Sequence, residues 1–305
     1  MDVPKKTIED AGFKGIFTEV SHPESLGLVN DCHLRLFQLD ISDSRFTFHA
    51  LKEYLQNNIG SYIFSRSRLQ QYEDEGKIKS IVFKAIQRMR KHFSNESDWM
   101  GEELGDLMLY VFLEQMLDAP KIFSKFDVDN NNQLTSGSSG IHLLNLNTNV
   151  PSFQLVFGKS RIAGDPREAI DNAFVTLEAI KNDSDRDIRL VESTAFDKPF
   201  NKEQADFLSN LILPNPNINF KVRKNTAFGV FLGYDIGFGD EVYTPDQLEQ
   251  AIKLKMQRDI KEHVNYILRK IKSADMEKYS FYMYFLPFND VSIEKTQVMA
   301  SILED

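Results

Sequence analysis

The sequence predicts an α/β protein in which a mixed sheet is flanked by helices, with an N-terminal α+β region. Three observations carry this reading. Short runs alternate apolar and polar residues with a period of two, longer runs repeat apolar residues at three-to-four spacing, and the two kinds of segment are interleaved along the 305 residues. The expected organisation is an N-terminal region over residues 1–95 followed by an α/β domain over residues 96–305.

Taken in order, Gly15-Ile16-Phe17-Thr18-Glu19-Val20 and His33-Leu34-Arg35-Leu36-Phe37-Gln38-Leu39 alternate as strands do, with a polar connection around Pro23 between them. Residues 47–93 have helical spacing, through Leu51, Tyr54, Leu55 and Ile59 and again through Ile78, Val82, Phe83 and Ile86. The acidic patch Glu73-Asp74-Glu75-Gly76 is expected to begin the second main helix, where negative charge suits the helix dipole. After the polar break Asn95-Glu96-Ser97-Asp98, a strongly apolar helix runs from Gly101 to Ala119 and closes at Pro120. Three strand-like runs follow, Ile122–Val128, Ile141–Leu146 and Phe153–Arg161. Asp165-Pro166 then opens a helix whose inner face holds Ala169, Ile170, Ala173, Phe174, Leu177 and Ile180. The remainder predicts a helix over Lys202–Leu213, a strand within Phe220–Ile236, a long amphipathic helix over Pro245–Ser273, a strand over Tyr279–Phe288 and a last helix over Val291–Leu303.

Composition narrows the class. A hydrophobic fraction of 42% and a charged fraction of 27% are those of a globular protein. The net charge of -9 argues against a general nucleic-acid coat but leaves room for a local basic groove. A single cysteine, Cys32, excludes an intrachain disulfide framework. No run of about 18 apolar residues is present, so the chain is expected to be cytoplasmic, with no membrane partner.

The strand Phe153-Gln154-Leu155-Val156-Phe157-Gly158-Lys159-Ser160-Arg161 is the most informative segment. It has the form of a core strand from a metal-dependent nuclease, where a carboxylate and a lysine two residues apart face the same side. Here those positions hold Lys159 and Arg161. Two unit charges ~4 Å apart repel by roughly 4 kcal/mol at an effective dielectric of ~20, so Lys159 beside a divalent cation is unfavourable. Arginine also stays protonated and cannot activate water as a neutral lysine can. The same pair suits a phosphate, to which it offers two cationic donors.

The chain resembles the HamA family, comprising the nuclease subunit of the Hachiman anti-phage system and its relative AbpA. The words that carry this are Leu104-Gly105-Asp106-Leu107-Met108-Leu109-Tyr110, Ala119-Pro120-Lys121-Ile122-Phe123-Ser124-Lys125, Gly137-Ser138-Ser139-Gly140-Ile141-His142 and the strand above. Ala169-Ile170-Asp171-Asn172-Ala173-Phe174, Phe228-Gly229-Val230-Phe231-Leu232-Gly233-Tyr234-Asp235 and Tyr284-Phe285-Leu286-Pro287-Phe288 extend it over roughly residues 30–300. The resemblance implies a restriction-endonuclease-like, PD-(D/E)XK, core. It also implies DNA as ligand and a superfamily-2 helicase of the HamB or AbpB type as partner.

Carried over by position, the family's helix acid is kept as Asp106, its metal-binding aspartate is replaced by Ser139, and its Glu and Lys are replaced by Lys159 and Arg161. The expected catalytic set is therefore largely degenerate, with Lys159 and Arg161 as DNA-binding candidates and no metal ligands. Mg²⁺ is expected only if other acids rescue the site, the candidates being Asp106, Glu103, Glu114, Asp165 and Glu168. Three functions stay open: a DNA-binding pseudonuclease, an active metal-dependent endonuclease with relocated ligands, and an interaction scaffold without nucleic-acid affinity.

Other features have ordinary explanations. His142 reads as a sheet-face histidine, and Phe126–Thr135 as a turn that imitates the start of an EF-hand loop. The basic residues Lys77, Lys79, Lys84, Arg88, Arg90, Lys91 and His92 fit a solvated helix or, as the sharper alternative, a nucleic-acid or partner contact.

Overall fold

A computed structural model describes residues 3–8, 11–93, 99–127, 137–195, 202–212, 223–237 and 244–304. Their elements are β1 (Thr18–Val20), β2 (Cys32–Gln38), β3 (Ile41–Ser42), β4 (Arg45–Phe46), α1 (His49–Ile63), α2 (Arg66–Asp74), α3 (Ile81–His92) and α4 (Trp99–Met116). These are followed by β5 (Lys121–Ser124), β6 (Gly140–Asn145), β7 (Ser152–Ile162), α5 (Pro166–Ala195), α6 (Lys202–Ile212), β8 (Arg223–Asp235), α7 (Pro245–Ser273), β9 (Ser280–Phe288) and α8 (Val291–Leu303).

Seven strands form one sheet in the order β1-β2-β9-β8-β7-β6-β5, and β3 pairs with β4 apart from it. The centre, β2-β9-β8-β7, is parallel, while the outer pairings, β1 with β2 at one side and β7 with β6 and β6 with β5 at the other, are antiparallel. The central strands are near-continuous apolar runs, as in Ala227-Phe228-Gly229-Val230-Phe231-Leu232, because both of their faces are covered. Phe281 of β9 meets Phe174 of α5, and Tyr284 stacks on Phe112 of α4. Residues of opposite parity lie on opposite faces of a strand, so α4 and α5 cover opposite sides of the sheet. The predicted inner face of α5 is buried throughout, and Asp165 caps the helix by accepting from the Arg167 amide at 2.7 Å.

Two of the N-terminal strands, β1 and β2, belong to this same sheet: β2 pairs in parallel with β9 across the interval that separates residues 1–95 from the rest. Three local expectations are corrected. The patch Glu73-Asp74-Glu75-Gly76 ends α2 instead of beginning a helix, because Gly76 takes a left-handed φ of 67° and the Lys77 amide returns to the Tyr72 carbonyl. Ile78 and Phe83 are about half exposed, and the buried face of α3 is Ala85, Ile86 and Met89. The run expected as Ile122–Val128 is a strand only over Lys121–Ser124, followed by a 3-10 turn over Lys125–Asp127. Most of the EF-hand-like segment, residues 128–135, lies outside the described residues.

Candidate functional site

Helix α4 places Glu103 and Asp106 one turn apart on a single face, turned toward the start of β6 and the end of β7. Close packing of helix on strand brings them there. A Cβ at Gly105 would lie 2.6 Å from Ser160 Oγ, so something would have to shift there, and one at Gly158 would lie 3.0 Å from a Leu109 methyl, a tight contact that the leucine would have to relieve. Glu103 and Asp106 are 1% and 4% exposed, and burying two carboxylates together requires compensation.

Lys125 supplies it. Its ammonium lies 2.6 Å from Glu103 Oε2 and 2.8 Å from Asp106 Oδ2. The other carboxylate oxygens accept from hydroxyls: Tyr62 donates to Glu103 Oε1, and Ser139 and Ser160 both donate to Asp106 Oδ1, each at 2.5 Å. Phe93 and Phe126 close over the ammonium, with ring centroids 5.2 and 5.7 Å away.

The electrostatics follow from this geometry. Burial alone would raise the Asp106 carboxyl, but the charges of Lys125 and Lys159 and the hydrogen bonds from Lys125 and Ser139 hold it well below the usual carboxylate range. Burial would lower the Lys125 ammonium, yet Asp106 and Glu103 push it above an ordinary lysine. Glu103 is raised by burial, with Lys125 opposing and the Asp106 charge adding to the rise. Removing one partner of such a buried group costs about 3–5 kcal/mol, since the other charge is left without compensation.

The positions singled out by sequence divide. Asp106 and Ser139 come together as hydrogen-bonded partners. On β7 the residue directed at Asp106 is Ser160, between Lys159 and Arg161. Lys159 is 7% exposed and donates to the Gly137 carbonyl at 3.2 Å, and burial lowers its ammonium against the pull of Asp106. Arg161 instead reaches a cleft of about 350 Å³ at the carboxyl ends of β7 and β8, which Lys295, Asn172, Glu168 and Asp235 also line. Its guanidinium donates to the Ser160 carbonyl at 3.2 Å and lies 3.8 Å from the exposed Glu102 carboxylate.

Of the acids considered as rescuers, only Glu103 joins Asp106. Glu114 is fully buried elsewhere, accepting from the amides of Thr7, Ile8 and Lys121. Asp165 caps α5, and Glu168 lines the cleft. His142 is a buried sheet residue bonded through Nδ1 to the Ala119 carbonyl at 2.8 Å. Among the described residues, no group of three or more His, Cys, Asp or Glu side chains is placed to hold a metal ion.

Sequence reasoning missed Lys125, Ser160 and Tyr62. A usable signal existed for the first: a lysine between Phe123 and Phe126 in an apolar strand-like run implies a buried ammonium, which needs acidic partners.

The fold and the site define a mixed-sheet α/β protein in which two neighbouring buried carboxylates share one lysine ammonium. The chain belongs to the HamA family, whose model matches residues 15–302, and is thus a defence-associated subunit. None of the curated proteins compared with it matches. Among the described residues no helix is long and apolar enough to cross a membrane.

Proposed function

We propose that this chain is the nuclease-fold subunit of a HamA-type anti-phage system, binding DNA beside a superfamily-2 helicase of the HamB or AbpB type without cutting it. The order α4-β5-β6-β7-α5, with the polar centre between α4 and the strands, supports a restriction-endonuclease-like core. The observation that carries the absence of cutting is the state of Asp106, whose two oxygens are already held by Ser139, Ser160 and Lys125. A resident Mg²⁺ does not fit this donor set: its carboxylates share an ammonium, and Lys159 adds a second positive charge beside Asp106.

Arg161 is the residue this reading assigns to the DNA backbone. It opens onto the cleft with Lys295, and a guanidinium is suited to two-point contact with a phosphate. Lys159 is committed to the Gly137 carbonyl, so it acts through the local field and not by touching DNA. Fluorescence anisotropy with labelled duplex and single-stranded DNA tests this. The chain is expected to bind, and Arg161→Ala to weaken binding about tenfold and lower the salt dependence by about one phosphate contact. Absence of measurable affinity, alone and with the helicase, would leave only the interaction scaffold.

A further inference from the structure

We propose that the Lys125 ammonium is a built-in replacement for a divalent cation, and that the oxygen pocket around it takes Mn²⁺ once this side chain is shortened. The inference rests on the reading that the unaltered site holds no divalent ion. It adds the identity of the group that stands there and a binding capacity that the lysine masks.

The pocket is assembled from four separate parts of the chain. Glu103 and Asp106 come from α4, Ser139 from the turn before β6, Ser160 from β7, and Lys125 from the 3-10 turn after β5. Two buried carboxylates therefore converge on the ammonium with one oxygen each, while the two hydroxyls fix the other oxygen of Asp106. Hard divalent ions prefer such oxygen sets, commonly one or two carboxylates completed by water. The ammonium meets the same requirement from within the chain, touching one oxygen of each carboxylate while two aromatic rings enclose it.

Its position is not that of a surface lysine that happens to fold inward. The bonds to both carboxylates are short, and the side chain is about one-fifth exposed. Lys125→Ala removes the ammonium and most of the stem. The change leaves the two carboxylates without the ammonium they share, with Lys159 the remaining positive charge beside Asp106, in a space now open to an ion and its water.

The test measures melting of the full chain without DNA or helicase, metal-free and with Mn²⁺ or Mg²⁺, alongside Mn²⁺ binding read by loss of the free-ion electron paramagnetic resonance signal. The unaltered chain is expected to show neither a melting shift nor Mn²⁺ uptake. Lys125→Ala is expected to melt lower without metal, to bind Mn²⁺ and to regain about 5 °C or more near saturation. Lys125→Ala with Asp106→Asn is expected to lose that response.

Equal Mn²⁺ stabilisation of the unaltered chain, or a folded Lys125→Ala that ignores Mn²⁺, overturns the proposal. If Lys125→Ala folds under neither condition, Lys125→Met is compared with the neutral triple Glu103→Gln, Asp106→Asn, Lys125→Met. Recovery of melting temperature in the triple supports the counter-cation role, and no recovery overturns it. A folded Lys125→Ala without Mn²⁺ response leaves DNA binding without cleavage intact, so the two readings fail separately.

Discussion

At the residue scale, the chain handles buried charge in two ways. Around Lys125 two carboxylates share one ammonium, whereas at His142 the charge is excluded altogether. Burial depresses the His142 imidazole from 6.5 to about 3, so it stays neutral and donates to the Ala119 carbonyl. The sign of the consequence follows from proton counting. Below about pH 6.5 the unfolded chain binds a proton that the folded chain refuses until about pH 3, so this residue's effect is to lower stability as pH falls through that window. The slope is at most about 1.4 kcal/mol per pH unit. His142→Asn is expected to flatten this part of the curve in urea midpoints measured from pH 7.5 to 4.5, and an unchanged slope would show that the imidazole titrates normally. The histidine's place on the sheet was readable from the sequence, but its depressed titration was not, because it depends on the helix and strand that bury it.

At the element scale, the site depends on how closely α4 lies on β7. Gly105 and Gly158 allow that approach, and each stood in the sequence with no local sign of its use. In an exposed helix, Gly→Ala ordinarily stabilises by about 1 kcal/mol. Gly105→Ala is expected to do the reverse, losing about 1–3 kcal/mol in denaturant melts because its methyl would meet Ser160. A gain would show that helix and strand can separate without cost. Most elements were legible from apolar periodicity, α5 above all, since Asp165-Pro166 and the row from Ala169 to Ile180 leave little choice. The start of the second helix was misplaced because acidic residues suit a helix start by charge, while the left-handed Gly76 decides the local path. The face of β7 was also hidden: its residues alternate, but which parity meets Asp106 is set by the register with β6 and the seat of α4.

At the scale of the whole molecule, the polar centre lies between one helix and a sheet to which the two ends of the chain contribute. β2 lies beside β9 at the sheet's centre, and Glu114 on α4 fastens residues 7 and 8 through their amides. The site is thus held by contacts far apart in sequence, and spacing alone could not reveal the partnership of Tyr62, Glu103 and Lys125. The resemblance implies that Ser139, Lys159 and Arg161 stand where the family has its ligands, an expectation that sequence alone could raise. The structure sets the Lys125 ammonium 2.8 Å from the Asp106 carboxylate.

The central claim is that this HamA-family chain engages DNA without a divalent centre that cuts it. The most direct measurement is conversion of supercoiled plasmid to nicked or linear forms by the purified chain, with and without the proposed superfamily-2 helicase and ATP, in Mg²⁺ and in Mn²⁺. The account predicts intact plasmid in every reaction, including those in which gel shift shows the DNA bound. Nicking or linearisation by the unaltered chain that disappears on Asp106→Ala would contradict it.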